Sequence, residues 1–225
     1  MSHNIAGKGT VMIEIQNLTK VFQEQTVLQN INASFAAGLI HGVIGKNGSG
    51  KTVLLRLLCG LMHPSKGQVI VDGKQLGKDV DFAPNAGIII ETPSFLPYLS
   101  GFQNLKELAS IRNIISKEEI AEAMEQVKLD PSSRKHVGKY SLGMRQRLGI
   151  AQAIMERPRY LILDEPMNGL DTQGMEDVRE LLQKQKETGV TVILASHSME
   201  DIRLLCDTVH RIQDASLIPC TTEFS

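Results

Sequence analysis

The sequence predicts an α/β fold, with a phosphate-binding loop between a core strand and a helix and a block of helices inserted further along. Three observations predict it. Residues 39–44 (Leu-Ile-His-Gly-Val-Ile) form an apolar run, 45–52 read Gly-Lys-Asn-Gly-Ser-Gly-Lys-Thr, and 53–58 (Val-Leu-Leu-Arg-Leu-Leu) have helical character. Strand–helix alternation returns between residues 160 and 205, with apolar runs at 160–163 and 190–195. Between Thr92 and Gln152 the alternation gives way to helical periodicity. A chain of 225 residues fits one such domain, or a core with a small inserted subdomain.

The elements follow in order. Residues 1–10 are polar and glycine-containing and read as a tail. Residues 11–15 alternate weakly as a strand, and 27–35 give a second, with Leu28, Ile31, Ala33 and Phe35 apolar. Ala37-Gly38 turns into the strand that feeds the glycine loop. A helix over 54–61 follows, then a turn at 64–67 and a short strand at 68–73. The apolar run 86–90 reads as a strand covered on both faces. Pro93 and Pro97 punctuate a loop, and Phe102, Leu105, Leu108 and Ile111 recur at threes as a helical face. Ser116 with Glu119 is a capping box, followed by Ile120, Met124 and Val127 on one side and closed by Asp130-Pro131. A helix from Ser141 runs to Met155 and ends before Pro158. Met175, Val178, Leu181 and Leu182 mark a further helix ended near Gly189, and 198–205 mark the last. Residues 214–225 carry no legible role.

Composition narrows the class. Net charge is −1 with both signs interspersed, which argues against a nucleic-acid groove. Three cysteines, Cys59, Cys206 and Cys220, have no metal or redox spacing and read as reduced thiols of a cytosolic chain. Cys59 lies in an apolar helix and is expected to be buried and inert. No apolar run approaches the length of a membrane span, and the N-terminus has no continuous apolar signal core.

The glycine loop is the strongest chemical signal. Gly45, Gly48 and Gly50 let successive N–H groups turn inward, with Asn47 and Ser49 between them, where a Cβ would block the dihedrals. The helix start adds unpaired donors and a positive dipole end. Lys51 can reach β- and γ-phosphates, and the Thr52 hydroxyl can ligate Mg²⁺. The four fixed positions match by chance in about one chain in a hundred, and the flanking strand and helix lower that. Downstream, Leu161-Ile162-Leu163 ends in Asp164-Glu165. Strand carboxyl ends of a parallel sheet face the ligand crevice. Asp164 is expected to hold Mg²⁺ through water, and Glu165 to orient or deprotonate an attacking water. His197 follows the next core strand and is placed to report a γ-phosphate. The other five histidines are assigned nothing. Ser141 is a plausible N-cap and Gly143 allows close backbone approach, so this helix start reads as a second phosphate-binding end.

The set resembles the ATP-binding subunit of an ABC transporter, over essentially residues 13–212. The likeness rests on Gly45–Thr52 as Walker A, Leu161–Glu165 as Walker B, Tyr140–Arg147 as the signature, Asn168-Gly169-Leu170-Asp171 as the D-loop and His197 as the H-loop histidine. The resemblance implies a P-loop NTPase with a RecA-like core, an N-terminal antiparallel β region and an inserted α-helical subdomain. The core would comprise 11–91 and 158–215, and the helical subdomain 92–157. It implies ATP and Mg²⁺ as ligands, and Phe22 as the aromatic that stacks on adenine. It also implies a head-to-tail pair of ATP-binding subunits, as homodimer or heterodimer. Ser141 and Gly143 of each would close over the other's ATP, and Asp171 would cross the interface.

Two departures are informative. The family's usual signature is LSGGQ, and here Leu142 and Met144 replace the first glycine and the glutamine. Glu91 stands where the family has the Q-loop glutamine, which keeps an oxygen near Mg²⁺ but adds a charge. Both changes resemble the bacitracin-export and lantibiotic-protection branch. The implied protein is an ATPase on the cytoplasmic face of the membrane, paired with a separate permease. The apolar, proline-rich loop after Glu91, with Phe95, Pro97, Tyr98 and Leu99, is expected to meet that permease. Two readings compete with export. A soluble ABC ATPase acting on DNA or ribosomes is opposed by the lack of a basic stripe, a coiled-coil insertion and a tandem second domain. A non-hydrolysing nucleotide-binding module is opposed by Asp164-Glu165 and His197.

Overall fold

The computed structural model describes residues 11–91 and 93–220. The tail at 1–10 and Thr92, where the helical subdomain is expected to begin, lie outside the described residues. The chain opens with a long hairpin of β1 (Val11–Phe22) and β2 (Gln25–Ala36), turned at Gln23 with φ 52°. β1 also pairs antiparallel with β4 (Lys66–Val71), which pairs with the short β5 (Lys74–Gln75). β1 runs well past the strand end expected near Ile15. Register shifts between Ile15 and Leu18, and again around Lys20, break the alternation, and Asn17 takes φ 49°. Bulges of this kind reset the period-two pattern that a sequence reading depends on.

The second sheet holds β3 (Ile40–Ile44), β6 (Ala86–Ile89), β7 (Tyr160–Asp164), β8 (Thr191–Ala195), β9 (Thr208–Gln213) and β10 (Ser216–Cys220). Its order is β10-β9-β3-β8-β7-β6, parallel throughout except for β10 on β9. β3, β7 and β8 are buried along their whole length, because both faces are covered. One face packs on α1 (Lys51–Cys59) and the antiparallel sheet through Leu28, Phe35, Leu54, Val69 and Ile193. The other meets α2 (Gly101–Arg112), α3 (Lys117–Gln126), α4 (Leu142–Ile154) and α5 (Thr172–Glu187) through Leu105, Met124, Leu148, Leu163 and Leu182. The α/β class, antiparallel β region and helical insertion expected from the sequence are all present.

Two local expectations change. Ile111 is 78% exposed instead of completing the face of α2. Nine residues on from Phe102 is half a turn round an α-helix, so spacing at threes drifts off the face. The buried stripe is Gly101, Asn104, Leu105 and Ala109. Asn104 donates to the carbonyls of Leu96 and Ser100 and accepts from the Leu96 N–H, which clamps the loop before α2. At the other end, residues 216–220 form a strand where the sequence pattern marks none. The turn places Asp214 and Ala215 at φ 48° and 59°. Such turns ordinarily advertise themselves with Asn-Gly or Asp-Gly, and this one has no glycine. Gln29 N–H donates to the Ala215 carbonyl at 2.7 Å, tying the hairpin to β2. Among the described residues no helix is long and apolar enough to cross a membrane.

Candidate nucleotide-binding site

The site begins where β3 ends and the chain turns into α1. Gly48 and Gly50 take φ 77° and 105°, which an L side chain resists. A Cβ on Gly45 would lie 2.5 Å from Ser49 Oγ, and one on Gly50 would lie 3.0 Å from Val27. No side chain caps α1, so its first amides are left to the loop. Lys51 is buried, and its Nζ donates to the Gly45 carbonyl at 2.9 Å and the Lys46 carbonyl at 3.4 Å. A ring of amides, a dipole end and an ammonium together suit a polyphosphate.

The acids arrive from the neighbouring strands. β8 lies beside β3 and β7 beside β8, all parallel, so their carboxyl ends share its level. Thr52 Oγ1 donates to Asp164 Oδ2 at 2.5 Å. A hydroxyl beside a carboxylate is the oxygen chemistry Mg²⁺ takes. Among the described residues no three His, Cys, Asp or Glu side chains cluster as a cage. Glu165 follows with φ 49°, and its N–H donates to the Ala195 carbonyl at 2.9 Å. This sharp exit from β7 turns the Glu165 side chain toward the end of β8. There Oε2 accepts from the His197 N–H at 3.3 Å and lies 2.7 Å from His197 Nδ1.

A cavity of about 610 Å³ brings Phe22 together with Gly48, Lys51, Thr52, Asp164 and Glu165. Phe22 is at the tip of the first hairpin, 40% exposed, with Lys20 Nζ 4.9 Å from its ring centre. Gln25 and Val27 line the same cavity. Neither carries a motif, and no sequence signal marks them. A second cavity of about 720 Å³ lies against Gly45, Asn47, Ser49 and His197, with Arg211 and Asp214 of the C-terminal hairpin opposite. Ser49 Oγ is buried there without a hydrogen-bond partner.

Ser141, Gly143 and Asp171 line neither cavity. Their polar atoms serve their own helices: Ser141 Oγ accepts from Met144 N–H at 3.1 Å, and Asp171 Oδ1 accepts from Gly174 N–H at 2.9 Å. Glu91 also stands apart from the acids. Its carboxylate, 63% exposed, pairs with Arg56 at 2.6 Å, one turn of α1 beyond Thr52. The charge that distinguishes glutamate from glutamine finds a cation there, and Arg56 had no motif to announce it. Burial pushes the Cys59 thiol up to about 12, so it stays protonated and inert.

Residues 28–168 match the family described as ABC transporter. The chain is 47% identical to the uncharacterized ABC transporter ATP-binding protein YybJ of Bacillus subtilis, over 87% of this chain and 90% of that one. It is 40% identical to the bacitracin transport ATP-binding protein BcrA of Enterococcus faecalis, over 92% of this chain and 68% of that one. To the lantibiotic transport ATP-binding protein SrtF of Streptococcus pyogenes it is 34% identical, over 92% and 89%. The ATP-binding cassette MJ0796, solved as a dimer in a post-hydrolysis state with ADP and Pi, shares the fold at a TM-score of 0.82 and 21% identity, covering 92% of this chain and 96% of that one.

Proposed function

We propose an export function for this chain on one premise: it belongs to the ABC transporter family, as an ATP-binding subunit. The cargo is an antimicrobial peptide of the bacitracin or lantibiotic kind, passed through a separate permease at the cytoplasmic face of the membrane. The likeness to BcrA and SrtF supports that cargo, as do Glu91 and the Leu142 and Met144 signature. The single observation that carries the chemistry is the 610 Å³ cavity, where an aromatic, a phosphate cradle and two acids meet.

The reaction is transfer of the γ-phosphoryl group of ATP to water. Phe22 stacks on the adenine. The amides of 45–50 and Lys51 hold the phosphates, which positions the γ-phosphorus and stabilises its spread charge. Thr52 and Asp164 hold Mg²⁺, which when bound neutralises phosphate charge. Glu91 joins that shell only by leaving Arg56. Glu165 accepts a proton from the attacking water while the His197 backbone N–H holds its carboxylate, and the His197 ring, with its proton on Nε2, donates to a γ-phosphate oxygen. Ser141, Gly143 and Asp171, the first two carried on the 92–157 helical subdomain, act on the ATP of a second ATP-binding subunit. The dimeric state of MJ0796 supports that pairing.

The permease face is the loop before α2. Of the loop residues expected there, Phe95 packs on the helical core and Leu99 is half-buried, so the exposed apolar side chains are Tyr98 and the neighbouring Leu96, 64% and 43% exposed. Leu96→Glu with Tyr98→Glu is expected to release the chain from the membrane fraction while ATP hydrolysis is kept. Unchanged membrane association would remove this face from the interface.

Glu165→Gln tests the reaction. ATP binding should stay within about threefold, phosphate release should fall at least about 100-fold, and an ATP-bound dimer should accumulate on gel filtration. Rapid phosphate release by this variant would take the general-base role away from Glu165.

A further inference from the structure

We propose that Leu142 is a positioning residue that wedges the 168–171 loop against the start of α4, so that Ser141, Gly143 and Asp171 meet a second chain's nucleotide as one rigid block. This inference rests on the two-chain reading above. Leu142 is the first residue of α4 and is 49% exposed, an unusual place for a large apolar side chain. Its inner side is used. A Cβ built on Gly169 would lie 2.4 Å from Leu142 Cγ, 2.5 Å from Cδ2 and 3.3 Å from Cβ. The clash is with the branch point of the side chain, so a rotation of its methyl ends does not relieve it. Gly169 also sits at φ 77°, so the loop needs glycine there twice over, for its dihedral and for the room that Leu142 occupies.

The same face of α4 continues the grip. A Cβ on Gly143 would stand 2.9 Å from the Gly169 carbonyl oxygen. Buried Gln146 donates through Nε2 to the Pro166 carbonyl at 3.0 Å. Arg147 pairs with Asp177 of α5 at 2.9 Å and donates to the Val127 carbonyl. Positions 142, 143, 146 and 147 lie along one stripe of a helix, and all four touch or bond to the segment between 166 and 177. Gln146 and Arg147 fix the two ends of that segment, at Pro166 and Asp177. Leu142, next to Ser141 at the start of α4, fixes its middle at Gly169, two residues before Asp171. A glycine at 142, as the usual family signature carries, leaves the 168–171 loop without this wedge.

The test is a double-mutant cycle in the Glu165→Gln chain, read as the ATP-driven dimerisation constant by analytical ultracentrifugation. Single-chain binding of a fluorescent ATP analogue and the thermal midpoint are followed in parallel. Leu142→Ala is expected to weaken pairing about tenfold, and Leu142→Met to retain it. Gly169→Ala should weaken pairing at least about tenfold beside Leu142 but several-fold less beside Ala at 142, since the new methyl then has space. The dihedral cost of Ala at 169 is common to both backgrounds and cancels in the cycle. Single-chain ATP binding should not move. Additive losses in a parent that pairs, or losses that only follow the thermal midpoint, overturn the wedge alone. A parent that shows no ATP-driven pairing overturns the wedge and the two-chain reading together.

Discussion

The molecule carries two groups of residues for which a phosphate-directed role is proposed, and they are built in opposite ways. Around 45–52 the functional side chains are already bonded across the site: Lys51 to the backbone of its loop, Thr52 to Asp164, and His197 to Glu165. Around 141–143 and 171 the functional side chains are bonded only to their own helix starts, and the elements carrying them are packed together by Leu142 and Gln146. The first group converges on a cavity within one chain, and the second lines neither that cavity nor the one beside it. Convergence in the first group comes from strand order, because β3, β8 and β7 are neighbours and end at one level. The second group lies at the starts of α4 and α5, which pack on the sheet's other face. Under the proposed two-chain reading, nucleotide binding is a property of one chain and closure a property of two.

The largest expected effect separates the two groups directly. Lys51→Ala should weaken nucleotide binding by the single chain about 10- to 100-fold, the worth of charge-assisted bonds to phosphate. Ser141→Ala should leave that single-chain affinity within about twofold while abolishing ATP-driven pairing, at a cost of about 1 kcal/mol from the lost cap. Equilibrium titration of both variants decides it. Equal losses of single-chain affinity would mean that the two groups are not separate.

A smaller effect concerns the scaffold behind the first group alone. His210 on β9 lies beside Val43 of β3, with its ring edge on Phe35, and burial together with nearby His41 pushes it down to about 4. Burial also lowers His41, against the Ala36 carbonyl and Asp207, which raise it. The unfolded chain therefore binds protons between about pH 6.5 and 4 that the folded chain refuses. Stability from His210 is complete above about pH 6.5 and is lost as pH falls toward 4, by at most about 3 kcal/mol. Thermal unfolding followed from pH 7 to 4 should show that loss, and His210→Phe, which keeps the ring and removes the charge, should flatten it. An unchanged acid limb in His210→Phe would place the loss elsewhere.

Much of the first group is legible in the order of residues alone. A glycine loop between strand and helix obeys local rules, since φ is set at Gly48 and Gly50 by the residues themselves. An apolar run ending in Asp164-Glu165, and another ending at Ser196-His197, announce strand ends in the same way. Ser116 and Ser141 are recognisable as caps because capping is settled within four residues. Local chemistry thus suffices for the fold class, the phosphate loop and the acids downstream. Other features belong to pairs of segments far apart in the chain: Glu91 on Arg56, Leu142 on Gly169, Gln25 and Val27 beside the loop, and Ala215 tied to Gln29. The extension of β1 past Ile15 likewise depends on the strands that pair with it. A residue's dihedral and capping preferences act over a few bonds and are written at its own position. Its contact partner is selected by how distant surfaces fit, and that selection exists only once the chain has closed on itself.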